Sequence, residues 1–210
     1  ATTAAENINL NATTISHKQG QLIQSDANGQ LSVNVTQALD NTLGVISAAG
    51  QATLQTADLI NQQGVIQTLA GKDLKITSQK LNNQSGKIIA GRDANLQVSE
   101  LNNNQGTVYA DGKLDIQATQ NIRNQQGLIA SQQSLSIKGQ NLNNQNGQIQ
   151  SEQSEVNLKL AQSINNQSGS IQSAQALNIQ SPHLENKNGQ LVSGTDSRII
   201  VAVLNNYASM

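Results

Sequence analysis

Apolar and polar positions recur along this chain with a long period. A glycine that follows a cluster of Asn and Gln stands at Gly20, Gly44, Gly64, Gly86, Gly106, Gly127, Gly147, Gly169 and Gly189, with spacings of 24, 20, 22, 20, 21, 20, 22 and 20 residues. Aligned on these glycines, two columns are aliphatic without exception. Two residues after each glycine come Leu22, Ile46, Ile66, Ile88, Val108, Ile129, Ile149, Ile171 and Leu191. Five residues before each come Ile15, Leu39, Leu59, Leu81, Leu101, Ile122, Leu142, Ile164 and Leu184. Between the columns most units carry an apolar-x-apolar pair, such as Leu74 and Ile76 or Leu96 and Val98, which an extended strand points to one face. The pattern predicts two or three strands of three to five residues per unit. No unit offers the i, i+3, i+4 stripe of an amphipathic helix.

A unit this small cannot bury an apolar face by itself, so the units must stack. If each wraps into one coil, equivalent strands pair in parallel and the aliphatic columns merge into one interior. The expected fold is therefore all-β, a right-handed parallel β-helix of about ten coils of 20–22 residues. Residues 1–210 are expected to form a single repeat segment taken from a longer chain. At a strand spacing of about 4.8 Å it would measure roughly 45 to 50 Å. The 22- and 24-residue units place their extra residues between the aliphatic columns, where corners can bulge.

A third column is polar. Three residues before the glycine stand Asn41, Asn61, Asn83, Asn103, Asn124, Asn144, Asn166 and Asn186, with His17 in the first unit. Amides repeated on successive coils can each donate to one neighbour and accept from the other, as in stacked identical segments. The alternative is a row of solvated turn residues, because Asn also tolerates the left-handed conformation.

Composition restricts the core and the partners. The chain has 27 Asn and 31 Gln among 210 residues, no Phe, Trp or Cys, and two Tyr, so its core must be a thin one of Ile, Leu, Val and Ala. Twelve Lys plus Arg against 13 Asp plus Glu give a net charge of −1, which supplies no basic field for a phosphate backbone. With two tyrosines there is no stacking platform either, so nucleic acid is not expected as a partner, and a monomer is. No apolar run approaches the roughly 20 residues of a spanning helix, and no leader opens the chain at Ala1, so any export signal is expected outside it. The absence of Cys suits a protein exported unfolded as well as a cytosolic one.

Units such as Leu81-Asn-Asn-Gln-Ser-Gly-Lys-Ile-Ile-Ala-Gly-Arg-Asp-Ala-Asn-Leu96-Gln-Val98 and Leu142-Asn-Asn-Gln-Asn-Gly-Gln-Ile149 resemble the filamentous-haemagglutinin repeats of two-partner-secretion exoproteins. The likeness extends from about Ile8 to Asn206. It implies an extracellular shaft, secreted through an outer-membrane transporter partner, displayed on a bacterial cell surface and belonging to an adhesin or a contact-dependent growth inhibition stalk. The family's N-terminal secretion domain and its C-terminal toxin junction are not seen in these 210 residues.

No catalytic, cofactor-binding or metal-binding residues are assigned, and the chain is not expected to be an enzyme. His17 and His183 lack Cys or carboxylate clusters at ligand spacing. Asp58, Lys80 and Glu100 fall in one register on successive coils and read as a surface charge column. A second polar cluster, Lys72-Asp73, Arg92-Asp93 and Asp111-Gly112-Lys113-Leu114-Asp115, could bind Ca²⁺ or place acids as polysaccharide lyases do. Each acid there has its own Lys or Arg beside it, however, which favours an ion-paired turn. Sequons occur at Asn11, Asn34, Asn83 and Asn166, and the first two are the candidate acceptors. Tyr109 beside Ile89 is the hint of an exposed apolar face. The expected function is a stalk presenting a distal adhesive or toxin-delivery domain; the alternative is a segment that itself binds a receptor or glycan on one face.

Overall fold

The computed structural model describes residues 2–208, in which strands and turns alternate and no helix occurs. Each turn of the chain contributes one four-residue strand, such as Lys87–Ala90 or Thr107–Ala110, and a longer one, such as Gln30–Asp40, Leu74–Asn82 or Ala94–Asn102. Strands pair in parallel with their equivalents one unit away. Val108 stands between Ile88 and Ile129, and Leu96 between Ile76 and Ile116. Short strands build a ten-stranded sheet and long strands a thirteen-stranded one. The result is a parallel β-solenoid of about nine turns.

The long strands differ from the expected short ones. Two predicted segments run on as one because pairing continues through the corner between them, where Lys80 stands in register with Asp58 and Glu100. The corner opens in three coils, the last at Val201 and Ala202 between Ser197–Ile200 and Val203–Asn205. Thr119 and Gln120 separate Leu114–Ala118 from Asn121–Arg123, and Ser181 and Pro182 separate Leu177–Gln180 from His183–Glu185. Pro182, lacking an N–H, cannot donate to a ladder there. The extra residues of the longer units lie at turns 25–29, 69–73 and 152–155, at the corner opening 119–120, and at bulges between Val35 and Ala38 and between Leu160 and Ser163.

The aliphatic columns form the interior. Ile46, Ile66, Ile88, Val108, Ile129, Ile149 and Ile171 are fully buried, and Leu59, Leu101 and Ile122 line the opposite wall equally buried. Pairs such as Ile76 with Leu96 and Ile116 with Ile137 complete it. Residues 197–205 add a further strand pair, Ser197–Ile200 and Val203–Asn205, whose Ile199, Val203 and Leu204 are exposed.

The repeat glycines act sterically. The left-handed backbone conformation belongs instead to the residue before each of them: Gln19, Leu43, Gln63, Ser85, Gln105, Gln126, Asn146, Ser168 and Asn188 have φ of 53° to 57°. In every such turn the glycine N–H donates to the carbonyl three residues earlier, as Gly86 does to Asn83 at 3.0 Å. A Cβ on Gly86 would fall inside the van der Waals shell of the Asn61 carbonyl oxygen in the preceding coil, and one on Gly147 would strike Asn124 in the same way. These glycines allow one coil to approach the next.

Gly139 is different. It lies within the strand Leu135–Asn143 at a bulge, and a Cβ there would meet the Gln120 carbonyl oxygen, Ile122 Cδ1 and Leu160 Cδ1 at 3.4 Å, an ordinary contact distance. Gly139→Ala is expected to raise stability by about 0.4 to 1 kcal/mol, because alanine restricts the unfolded chain without strain in the folded one. Urea denaturation reads this as a higher midpoint; a lower one would mean that the bulge needs glycine.

Candidate interaction surfaces

The polar column is buried and continuous. Asn83 Nδ2 donates to Asn103 Oδ1 at 2.7 Å, and the same contact passes from Asn103 to Asn124, Asn144, Asn166 and Asn186. Each amide also reaches backbone carbonyls: Asn103 Nδ2 approaches Gly106 O at 3.3 Å and Leu128 O at 3.0 Å. Side chains from Asn41 to Asn166 are 0% exposed, which selects the ladder over the solvated row. His17 Nδ1 lies 2.8 Å from Asn41 Oδ1. Because Asn41 Nδ2 is engaged with Asn61 Oδ1, that oxygen is the acceptor and His17 carries its proton on Nδ1. Asn206 extends the ladder, accepting from Asn186 at 2.8 Å. It escapes the glycine-anchored alignment because the sequence has Ser209, not a glycine, three residues after it. The whole column is structural: its amides are consumed by one another.

The charged features are rearranged relative to expectation. Asp58, Lys80 and Glu100 do share a column, yet among the described residues the ion pairs are Lys18 with Asp40 and Arg92 with Asp73. Arg92 Nε donates to Asp73 Oδ1 at 2.6 Å and Nη2 to Oδ2 at 2.5 Å, so the partner lies in the neighbouring coil and not beside the acid in its own turn. The Arg92 guanidinium, helped by the Asp93 N–H and opposed by burial, holds the Asp73 carboxyl below its ordinary range. Asp93 Oδ1 in turn accepts the Lys113 N–H at 2.8 Å. These acids tie coils together, and among the described residues no group of three or more His, Cys, Asp or Glu is placed to hold a metal ion. At Asp40, burial raises the carboxyl pKa, but the Thr42 hydroxyl at 2.6 Å, the Thr42 N–H and Lys18 outweigh it and leave the group below its usual value.

The sequons divide by burial. Asn83 and Asn166 are enclosed in the ladder, whereas Asn11 and Asn34 are exposed and stand in register on adjacent coils. Tyr109 and Ile89 are register partners, both half-buried on the outer side of the short-strand sheet. Burial pushes the Tyr109 phenol above its ordinary pKa; the Gln132 hydrogen bond opposes this, and Glu152 and Asp111 add to it. His183 sits exposed in register with Ser163 and Val203.

Two concavities lie elsewhere, toward the C-terminal coils. One groove of about 890 Å³ follows the corner past Gly139, Leu160 and Pro182. A second, of about 440 Å³, lies across the Lys138 and Lys159 side chains from it, and Arg198 lines its far end.

The model of the haemagglutinin repeat family matches residues 1–42, 26–80, 68–126, 110–154 and 153–203. The chain belongs to the haemagglutinin repeat family. No curated protein and no solved structure matches it. In haemagglutinin repeat terms, the matched stretches overlap through the solenoid, so the Arg92–Asp73 corner, the exposed sequon pair and the two grooves are local variations on a repeated coil. Those grooves were not foreseen from the sequence. Their signal was a run of small or bent residues at one corner, Ala118, Gly139, Ala161, Pro182 and Ala202, in which alanine alternates with glycine and proline and forms no uniform column.

Proposed function

We propose that this haemagglutinin repeat segment is a stalk of a secreted, surface-displayed bacterial exoprotein that carries a distal adhesive or toxin-delivery domain toward a target cell. The observation that supports it most is the uniformity of the stack: the same amide contact of 2.7 to 2.8 Å joins every coil from His17 to Asn206. A repeat whose coils contact only their neighbours is a means of setting length. The solenoid is a structural fold, and the proposal assigns it no catalysis. The partner it calls for is the outer-membrane transporter of two-partner secretion, acting on the parent chain of which this is one segment.

Removal of one coil tests this. Deleting residues 127–146 places Gln126, already in the left-handed conformation, directly before Gly147, and sets Asn124 three residues ahead of that glycine. The interior columns and the ladder then rejoin. A shaft becomes shorter by about 5 Å, and the parent is expected to be secreted and to keep most of its adhesive or inhibitory activity per displayed molecule. Lost activity with normal display would place the functional site in these coils and reject the stalk.

A further inference from the structure

The two grooves flank a single ridge made by the outward side chains of Lys138, Lys159 and Gln180. Lys138 stands in register with Lys159, and Lys159 with Gln180, so the ridge climbs one coil at a time. The larger groove takes its walls from residues 118–119, 138–140, 159–161, 180–182 and 200–202. These belong to five successive coils, so the groove runs along the solenoid axis for roughly 20 Å at about 4.8 Å per coil. We infer that this ridge and its grooves bind a carboxylate-bearing polysaccharide, a polyuronate, laid lengthwise on the stack.

Charge is the first argument. Acids slightly outnumber bases in the chain as a whole, yet Lys138, Lys159 and Arg198 line these grooves and no carboxylate does. All three are exposed, and none belongs to an ion pair among the described residues. They form an uncompensated positive strip that attracts an anion. The surroundings suit a sugar. Gly139, Ala161, Pro182 and Ala202 offer a low apolar floor for the C–H face of a ring, while Gln140, Gln180, Asn157 and Asn178 offer amides for its hydroxyls. Lysine stems can lie along such a floor and keep their ammonium groups free.

The strand geometry argues against a peptide. Strands cross the groove and their backbones are paired to the coils on either side, so no open edge runs along it to accept an added strand. The spacing of charge argues against a densely sulfated glycan. Gln180 interrupts the cationic column between Lys159 and the coil of Arg198, which leaves three cations across four coils. A chain with about one carboxylate per sugar residue and many hydroxyls fits that density.

The inference adds a ligand to the shaft. Its test uses the 210-residue chain without display or secretion, so its failure would leave the stalk proposal standing; because residues 127–146 contain Lys138, deletion of the unit 44–63, remote from both grooves, tests the latter separately. Binding to polygalacturonate, heparin, poly-glutamate and dextran is measured by titration calorimetry at low and at high salt. Polygalacturonate is expected to bind best, and more weakly at high salt. Lys138→Gln with Lys159→Gln and Arg198→Gln is expected to lower its affinity at least tenfold. A control with the same change of charge, Lys72→Gln with Lys75→Gln and Lys80→Gln, should stay within twofold, and Lys138→Arg with Lys159→Arg should retain binding. Far-ultraviolet circular dichroism checks that each variant is folded. The proposal is overturned if polygalacturonate does not bind, if the control loses as much as the groove variant, or if heparin, poly-glutamate or dextran binds as tightly as polygalacturonate.

Discussion

Gly147→Ala is expected to destabilise the solenoid by about 3 kcal/mol, at the upper end for a single added methyl group. The methyl would be driven into the backbone carbonyl of Asn124 and would stand 2.6 Å from the Asn144 side-chain oxygen. A side chain can rotate away from such an intrusion, but the Asn124 carbonyl belongs to the strand-to-turn backbone of the adjoining coil and cannot yield without parting the two coils. The neighbouring substitution Asn146→Gly provides the contrast. Asn146 has φ of 54°, a left-handed conformation that glycine adopts without strain and Asn tolerates, so glycine there is expected to be near neutral. Denaturant midpoints of the two variants separate the steric role of position 147 from the conformational role of position 146. Equal and small effects would show that the coils can shift apart at little cost.

The second large effect belongs to the ladder. Asn144→Ala removes the acceptor used by Asn124 Nδ2 and the donor used by Asn166 Oδ1, and it also uncovers the Gly147 and Ser170 carbonyls. Asn166 Oδ1 is then buried without that donor, and a stranded buried polar atom costs about 1 to 3 kcal/mol. The total is expected to be near 3 kcal/mol in urea or thermal unfolding, whereas Asn206→Ala, at an exposed position, should cost less than about 1 kcal/mol. Similar small losses at both sites would mean that water replaces the ladder contacts.

The sequence was legible wherever repetition in the chain is repetition in space. Ile88, Val108 and Ile129 align in sequence because they touch in the stack, and Asn83, Asn103 and Asn124 align because each bonds the next. Features that break the repeat were harder to read. The Arg92–Asp73 pair joins residues of different units, and adjacency in sequence pointed instead to Lys72 and Asp93 as the partners. The left-handed residue before each glycine takes the identities Gln, Leu, Ser and Asn, so no column marked it. The grooves arise from missing volume and a break in the corner at Thr119, Gly139 and Pro182, a property of shape that no residue type announces.

Strands in this solenoid lie across its long axis, and the hydrogen bonds between coils point along it. A lengthwise pull spread over a whole coil therefore falls at once on every bond of an interface: the long strand pair, the short strand pair and the amide contact share the load and must give way together. A sideways push concentrates on one edge, where bonds open one after another. The stack is strongest where a load is spread over a whole coil, and its weak direction is peeling.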